Sequence, residues 1–292
     1  MNTNFGECHA HIALDGVDYK AQSKLHKEAP NEEFIRTTFN TYLENDITFI
    51  RDGGDKWGVS SKARLIAKEY EIDYRTPIFA IYKNGGYGSI LGKGFDTMKE
   101  FKVLVKEAFD LGADFIKIMA SGIMDFNEYG KLSNCTITPT ELKQMIKIVK
   151  DNGLSAMVHV NGDANIKAAL ESGADSIEHG YYMERDTLNL LKENNAIWVP
   201  TLTPVNNLIG VDGFNQNTIE MILNKSIENI KYAFDLEANV GLGSDAGSFK
   251  VPHVLGIKKE YELLSGIIPD KNRLDKTLTK SETLLKIKFV RA

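Results

Sequence analysis

Residues 155–180 read SAMVHVNGDANIKAALESGADSIEHG and contain two short apolar segments, Ser155 to Val160 and Ser176 to Glu178. Both segments are typical of buried strands, and a segment with helical spacing lies between them. Gly173 stands where a left-handed C-cap would end that helix before the second strand. Because parallel neighbouring strands need a crossover connection, this unit predicts a parallel sheet.

The same order of strand, helix, glycine and strand recurs along the chain. Gly112 and Gly153 are placed like Gly173, and Thr138 followed by Pro139 predicts a capped helix start. The strand candidates are Glu7 to Ile12, Thr48 to Asp52, Ile78 to Tyr82, Phe115 to Ala120, Ser155 to Val160, Ser176 to Glu178, Ala196 to Val199 and Val240 to Gly243. Eight such units in 292 residues are the proportions of a closed (β/α)8 TIM barrel, an α/β fold. We therefore expect one barrel domain over residues 1–292.

An open, doubly wound parallel sheet is the main alternative to the barrel. That fold predicts a phosphate-binding glycine pattern after an early strand. The glycine-rich stretch from Asn84 to Gly94 follows a strand but lacks the required spacing. We interpret this stretch as a βα loop.

Composition and charge exclude several classes of protein. Apolar residues are 42% of the chain and charged residues 26%, which is ordinary for a globular protein, and no apolar run is long enough to cross a bilayer. The N-terminus lacks the basic and apolar segments of a signal peptide, and Cys8 and Cys135 are too few for a disulfide framework. A net charge of -5 argues against nucleic acid as a partner, and the basic residues scattered from Lys271 to Arg291 are interpreted as a solvated helix face. We expect a cytoplasmic protein that acts on a small molecule and contacts neither nucleic acid nor a membrane.

Metal-ligating residue types lie at the ends of the predicted strands. His9 and His11 are two residues apart on the first strand, so both side chains point the same way. His159, His179 and Asp245 end the fifth, sixth and eighth strands. The carboxyl ends of barrel strands build the active-site face, so these side chains should converge. Imidazole and carboxylate ligands suit zinc, manganese or iron, and zinc is the usual metal of hydrolytic sites.

The chain has 6 histidines, and two of them lie outside this set. His26 and His253 fall in predicted loops or helices. We interpret both as exposed or supporting residues, although His253 follows the eighth strand closely enough to touch a substrate.

Lys117 is placed in the otherwise apolar segment Phe115 to Ala120, where a lysine needs a partner. Three interpretations remain open: a structural ion pair, an amine that forms a Schiff base, and an amine carboxylated by CO2 that bridges two cations. The nearby histidines favour the carbamate, because neutral imidazoles serve directly as metal ligands.

Five segments together resemble the amidohydrolase superfamily, in the order and spacing of that superfamily. Within it, the chain is most similar to the imidazolonepropionase-like and Xaa-Pro dipeptidase-like members. The matching segments are Glu7-Cys-His-Ala-His, Gly112 to Gly122, His159-Val-Asn-Gly, Ser176-Ile-Glu-His-Gly and Gly243-Ser-Asp-Ala-Gly.

The resemblance implies a site with two divalent metals, zinc in the first instance. One metal would be held by His9, His11 and Asp245 and the other by His159 and His179, with carboxylated Lys117 between them. A hydroxide would attack the carbonyl carbon, and Asp245 would take up the proton and pass it to the leaving amine. Tyr182 matches a tyrosine that contacts the substrate in these relatives, although a purely structural tyrosine fits equally well. The implied reaction is hydrolysis of an amide, a cyclic amide or a related C–N bond, with a dipeptide-like substrate as the most concrete candidate.

Two departures from the superfamily pattern and three rival functions remain. Relatives carry a small β-sandwich, for which the residues before Glu7 and after the last helix leave no room, so we expect a bare barrel or a shortened or diverged copy. Exposed surface there would favour a homo-oligomer. The tail from Leu278 to Lys288 differs from the alanine-rich last helix of relatives, so the sequence leaves open which element closes the barrel.

The rival functions are a lactonase or esterase with the same site, a Schiff-base lyase that uses Lys117, and a non-catalytic binding barrel.

Overall fold

The computed structural model describes residues 5–134 and 136–291. Cys135 lies outside the described residues. The strands are β1 (Glu7–Ala10), β2 (Phe49–Asp52), β3 (Asp73–Arg75), β4 (Ala80–Lys83), β5 (Gly92–Phe95), β6 (Ile116–Met119), β7 (Ala156–Val160), β8 (Ser176–His179), β9 (Ile197–Val199) and β10 (Asn239–Val240). The helices are α1 (Tyr19–Leu25), α2 (Glu32–Leu43), α3 (Val59–Ala67), α4 (Met98–Asp110), α5 (Pro139–Asp151), α6 (Asp163–Glu171), α7 (Arg185–Glu193), α8 (Leu202–Asn206), α9 (Gln216–Asp235), α10 (Leu255–Ile267) and α11 (Lys271–Lys288).

The strands pair in parallel, in the orders β1-β2-β3 and β10-β9-β8-β7-β6-β4-β5. Consecutive segments β3 and β4 together occupy the third barrel position, because β3 pairs with β2 and β4 pairs with β6. At the other end, the N–H of Cys8 donates to the carbonyl of Leu242 at 3.0 Å, and the N–H of Asp245 donates to the carbonyl of His9 at 2.8 Å. The first strand therefore lies beside the last, and the predicted (β/α)8 barrel is confirmed.

Two strands were not predicted from the sequence, and one of them corrects the interpretation of the glycine-rich stretch as a loop. Residues Gly92–Phe95 form β5, which pairs with β4 in the register Ala80↔Gly92. A Cβ atom at Gly92 would lie 2.7 Å from the carbonyl oxygen of Ala80, so glycine permits the close approach of the two strands. Because glycine has a low strand propensity, the composition of this segment did not indicate a strand.

The predicted start of α5 is confirmed by its capping box. The side chain of Thr138 accepts from the N–H of Glu141, and the Glu141 carboxylate accepts from the N–H of Thr138. Gly173, which follows α6, has φ +90°, the left-handed conformation expected of a glycine that ends a helix. The capping box begins the helix that precedes β7, and Gly173 ends the helix that precedes β8.

Helix α11 closes the amino-terminal end of the barrel. Its residue Leu285, together with Phe289 just after the helix, packs against Phe49 and Phe115. The carbonyl of Lys288 accepts a hydrogen bond of 2.7 Å from the hydroxyl of Ser155, next to the start of β7. The tail left open by the sequence comparison is therefore the closing element, and the carboxyl ends of the strands stay free for a site.

No helix among the described residues is both long enough and apolar enough to cross a membrane.

Candidate metal centre

The barrel brings the six predicted ligands together at the carboxyl ends of its strands. The ring centroids lie 5.4 Å apart for His9 and His11, 5.1 Å for His9 and His179, and 4.6 Å for His159 and His179. All four imidazoles are buried, with at most 9% of each residue exposed. Three strands, β1, β7 and β8, thus bring four imidazoles into one compact cluster.

Asp245 completes a group that could hold a cation. The ligand atoms of His9, His11 and Asp245 all lie within 4.8 Å of one another. Oδ1 of Asp245 is 3.2 Å from Nε2 of His11 and 3.5 Å from Nε2 of His9. These three side chains therefore face a common point from two neighbouring strands.

Asp245 and His179 both adopt a left-handed backbone conformation, with φ 60° and φ 67°. Aspartate and histidine tolerate this region better than most residues, but the conformation still needs support from the surroundings. For Asp245 that support includes the hydrogen bond from its N–H to the carbonyl of His9. For His179 it includes the indole N–H of Trp198, which donates to its carbonyl at 2.8 Å.

Burial disfavours the charged form of three of the imidazoles. It lowers the pKa of His159 to about 3 and holds the pKa of His9 and His179 well below the usual range, with the charge of Lys117 acting in the same direction. For Asp245, burial alone would raise the pKa, but the hydrogen bond to His11 and the positive charge of Lys117 oppose it and the pKa is lowered. Neutral imidazoles and an ionised carboxylate are the forms that bind a metal.

The ring nitrogens provide a test of whether a metal fits. Nδ1 of His9 and Nδ1 of His179 already have hydrogen-bond partners, Glu178 and Thr201, each at 2.7 Å. The Nε2 atoms of both rings are therefore left for a metal. The nitrogen and oxygen donors present match the preferences of zinc and related divalent ions.

Lys117 lies inside the cluster, with Nζ 3.4 Å from Nε2 of His9 and 1% of the residue exposed. None of the described carboxylates forms an ion pair with it, so the structural ion-pair interpretation gains no support. Burial lowers the pKa of Lys117 to about 8. A neutral amine is the form that reacts with CO2 or with a carbonyl, so both remaining interpretations fit its environment.

A buried ionic chain behind His9 was not assigned a role from the sequence. Nδ1 of His9 is 2.7 Å from Oε2 of Glu178, and Nη2 of Arg51 lies 2.8 Å and 2.9 Å from the two carboxylate oxygens. Because a carboxylate only accepts, Nδ1 of His9 carries the proton and Nε2 is free to bind a cation. The sequence did contain a signal for Arg51 and Glu178, because both are ionisable residues within apolar strands, as Lys117 is.

Tyr182 was predicted to contact the substrate, but the adjacent Tyr181 is the one that lines the cavity. Tyr181 lines the cavity above the cluster and donates to the carbonyl of Thr201 at 2.6 Å. The ring of Tyr182 instead packs edge-on against Tyr129, with the ring centroids 5.1 Å apart.

The two remaining histidines are supporting residues. Nε2 of His253 lies 2.7 Å from the carbonyl of Leu14, and Nδ1 lies 3.0 Å from the hydroxyl of Tyr42. His26 is 1% exposed, and its Nδ1 accepts from the N–H of Asn31. Neither histidine is among the residues that line the cavity.

A sequence model described as "Amidohydrolase family" matches residues 8–272, which include the whole cluster. The chain belongs to this family. The predicted resemblance is thereby confirmed at the level of the superfamily.

Individual relatives of this amidohydrolase are distant. Ochratoxinase from Aspergillus niger is 29% identical over 119 residues, which are 40% of this chain and only 24% of the length of that relative. Among solved structures, a Xaa-Pro dipeptidase with methionine bound in its active site is 21% identical with a TM-score of 0.75, and the match covers 97% of this chain and 75% of that one. A prolidase complexed with N-methylphosphonate-L-proline is 18% identical with a TM-score of 0.76, covering 96% and 74%. The Aspergillus niger ochratoxinase structure is 17% identical with a TM-score of 0.75, covering 94% and 69%. These structures share the fold of the present chain.

A cavity of about 340 Å³ opens above the candidate metal-ligand cluster of this family member. His11, Lys117, His159, His179 and Asp245 all contribute to its wall. The other lining residues are mainly apolar and come from the βα loops. The candidate ligands are thus accessible to a small molecule, although they are buried from bulk water.

Proposed function

We propose that this chain is a metal-dependent hydrolase that cleaves an amide, a cyclic amide or a related C–N bond in a small molecule. The observation that carries the proposal is the convergence of His9, His11 and Asp245 within 4.8 Å at the floor of a cavity. Membership of the amidohydrolase family supports the same chemistry.

The residues that would hold the metals follow from the cluster. His9, His11 and Asp245 would bind one ion, His159 and His179 a second, and carboxylated Lys117 would lie between the two. Zinc is the proposed metal, with manganese and iron as alternatives. Divalent ions in these positions supply an acidified water and a positive charge that polarises a carbonyl group.

Asp245 is the proposed proton carrier. Its lowered pKa keeps the carboxylate ionised near neutral pH, and its side chain is 15% exposed toward the cavity. An ionised carboxylate in this place can accept a proton from the attacking water and return it to the departing amine nitrogen. The neutral imidazoles around it cannot compete for that proton, because burial disfavours their charged form.

The substrate contact first expected of Tyr182 is reassigned to Tyr181, and Tyr182 is given a packing role. Tyr181 lines the cavity and Tyr182 does not, so Tyr181 is the better placed of the two to contact a substrate. Tyr182 would then act by packing against the ring of Tyr129.

A metal analysis and a substrate screen test the proposal together. Protein purified without chelator should contain between one and two divalent ions per chain, and a chelator should abolish activity on dipeptides, N-acyl amino acids, lactones or cyclic amides supplied with zinc or manganese. Asp245→Asn should lose that activity. Absence of metal combined with full activity of Asp245→Asn would overturn the mechanism, and preference for lactones would assign the same site to ester hydrolysis.

The Schiff-base lyase is a second candidate, favoured by the burial of Lys117 and the absence of an ion pair to it among the described residues. Borohydride added with substrate would trap a covalent adduct on Lys117 of a lyase, and a chelator would leave a lyase active. The hydrolase should form no adduct with borohydride, and a chelator should inactivate it.

The cytoplasmic location, the homo-oligomer, the lack of nucleic-acid or membrane partners and the bare barrel stay predictions. A dipeptide-like substrate is likewise a proposal, to which the name of the Xaa-Pro dipeptidase among the structural relatives adds support.

A further inference from the structure

We propose that the substrate is a neutral molecule whose bulky apolar part fills the cavity. A free dipeptide or another carboxylate-bearing compound is then a poor substrate, so the dipeptide-like candidate is retained only in an uncharged form such as a dipeptide amide. This inference rests on the proposed hydrolysis of a C–N bond and narrows its substrate class. Three features of the cavity support it: the charges on its wall, its apolar residues and its rim.

The cavity wall offers no spare positive charge for a substrate carboxylate. Among the described residues that line it, Lys117 carries the single ammonium group and no arginine is present. Lys117 lies within the histidine cluster, where its amine is 3.4 Å from His9. A carboxylate higher in the cavity would therefore lose its hydration without gaining a cation, which is strongly unfavourable.

The upper wall of the cavity is apolar and partly aromatic. Rings from two different loops meet there, since the centroids of Phe126 and Phe214 are 5.8 Å apart, edge to face. Met119, Met124 and Leu208 line the same space. Methionine and aromatic side chains adapt to irregular apolar groups, so this wall suits an aryl or branched alkyl substituent.

The rim continues this apolar surface into solvent. Val17 is 72% exposed, Phe249 55% and Ile90 38%, and all three line the cavity mouth. Exposed apolar side chains that border a cavity commonly mark a surface that a ligand covers. The substrate is therefore expected to extend from the metal cluster to the rim.

Lys250 is a cation outside the cavity but close to its mouth. It lines a shallow depression beside the mouth, which shares Gly16, Val17 and Phe249 with the main cavity. A long substrate could place a carboxylate there. The experiment must therefore include a Lys250 variant.

The first test compares matched substrates on the zinc-loaded full chain. Hippuryl-phenylalaninamide and hippuryl-phenylalanine share one glycyl-phenylalanine bond and differ in the terminal group, a neutral carboxamide against a carboxylate. We expect kcat/KM for release of hippurate to be at least about ten-fold higher for the neutral amide. In the series acetanilide, butyranilide and hexananilide, kcat/KM should rise by up to about four-fold for each buried methylene. Preference for the free acid would overturn the proposal, and loss of that preference in Lys250→Met would assign carboxylate recognition to the rim.

The second test measures binding without metal or turnover. N-phenyl-1-naphthylamine, a neutral apolar fluorophore, should bind the metal-free chain with one site per molecule. Val17→Asp combined with Phe249→Asp should raise its Kd about ten-fold, because both changes place charge on the apolar rim. The matched control is Val103→Asp combined with Leu111→Asp, two residues that are 60% and 53% exposed but do not line the cavity. An equal effect of both pairs, or no binding by the parent chain, would overturn the proposal.

The two levels of inference fail in different ways. Hydrolysis of the free acid in preference to the amide refutes the substrate class and leaves C–N hydrolysis intact. If the zinc-loaded chain cleaves no C–N compound, the proposed function fails and the substrate class fails with it, even if the fluorophore binds the cavity.

Discussion

Glu178→Gln removes the carboxylate that orients His9. In the parent chain, Oε2 of Glu178 is 2.7 Å from Nδ1 of His9, and both side chains are 0% exposed. Arg51, also 0% exposed, contacts the same carboxylate through Nη2 at 2.8 Å. The substitution therefore affects a histidine of the candidate metal centre and a buried guanidinium at once.

The stability cost has two parts. Breaking a buried ion pair by removing one partner costs about 3–5 kcal/mol, because the remaining charge is left uncompensated. Glutamine keeps the shape and one acceptor oxygen, and the carbonyl of Cys8 still accepts from Nε of Arg51 at 2.7 Å. We therefore expect the free energy of unfolding to fall by about 2–4 kcal/mol, at the lower end of the cost of a broken pair.

The metal affinity should fall as well. A carboxylate that accepts from the far nitrogen of a ligating imidazole sets its tautomer and raises its basicity, and losing such a partner typically costs 10–100-fold in metal affinity. Competition with a chromogenic zinc chelator measures that affinity, and urea unfolding followed by circular dichroism measures the stability of the metal-free chain.

Glu260→Gln is the matched control for this experiment. Glu260 is also 0% exposed, but it accepts from the N–H groups of Leu202 and Thr203 and touches no candidate ligand. It should lower stability without changing zinc affinity. Zinc affinity within two-fold of the parent in Glu178→Gln, or an equal loss in Glu260→Gln, would refute the role assigned to Glu178.

Three further predictions concern the metal count, the pH dependence of stability and the packing of the last strand. Lys117→Ala should reduce bound zinc from about two ions per chain to about one by elemental analysis, since it removes the proposed bridge; an unchanged count would contradict a carbamate. Burial raises the pKa of Glu260 to about 7, above its value of 4.5 in an unfolded chain, so this group favours folding below pH 4.5 and that contribution is lost as pH rises to 7. Between pH 4.5 and pH 7, the unfolding free energy of the parent should therefore fall by up to about 3 kcal/mol relative to that of Glu260→Gln. If the two variants show parallel curves of unfolding free energy against pH, the effect is excluded. In Gly243→Ala, the new Cβ would lie 2.8 Å from the backbone nitrogen of His9, so we expect a loss of about 1–3 kcal/mol by urea unfolding together with weaker zinc binding, and parent-like values of both would contradict the geometry.

Local patterns in the sequence predicted most of the barrel. The eight predicted strands each overlap an observed strand, the last of them only at Val240, because their apolar residues are consecutive and their flanking helices have clear ends, as at Thr138 and Gly173. The strands β3 (Asp73–Arg75) and β5 (Gly92–Phe95) escaped notice for the opposite reason. Charged residues flank Tyr74 in β3, and β5 is half glycine, so neither has the composition of a buried strand.

The candidate ligands were found from the sequence because each stands at a strand end, and parallel strands of a barrel deliver their ends to one face. Residue type and position along the chain were sufficient for His9, His11, His159, His179 and Asp245. The contacts that adjust these groups depend on distances across the barrel interior. Arg51 and Glu178 are 127 positions apart, and no local pattern shows that they form a pair.

Tertiary structure also distinguished Tyr181 from Tyr182 and revealed the apolar cavity wall. Adjacent residues in a loop face different ways, and their directions depend on backbone conformations such as the left-handed φ of 68° at Tyr182. The cavity wall collects side chains from loops that follow several different strands. Secondary structure and candidate ligands follow from short-range periodicity and residue chemistry, whereas partner choice and cavity shape arise only when distant segments pack together.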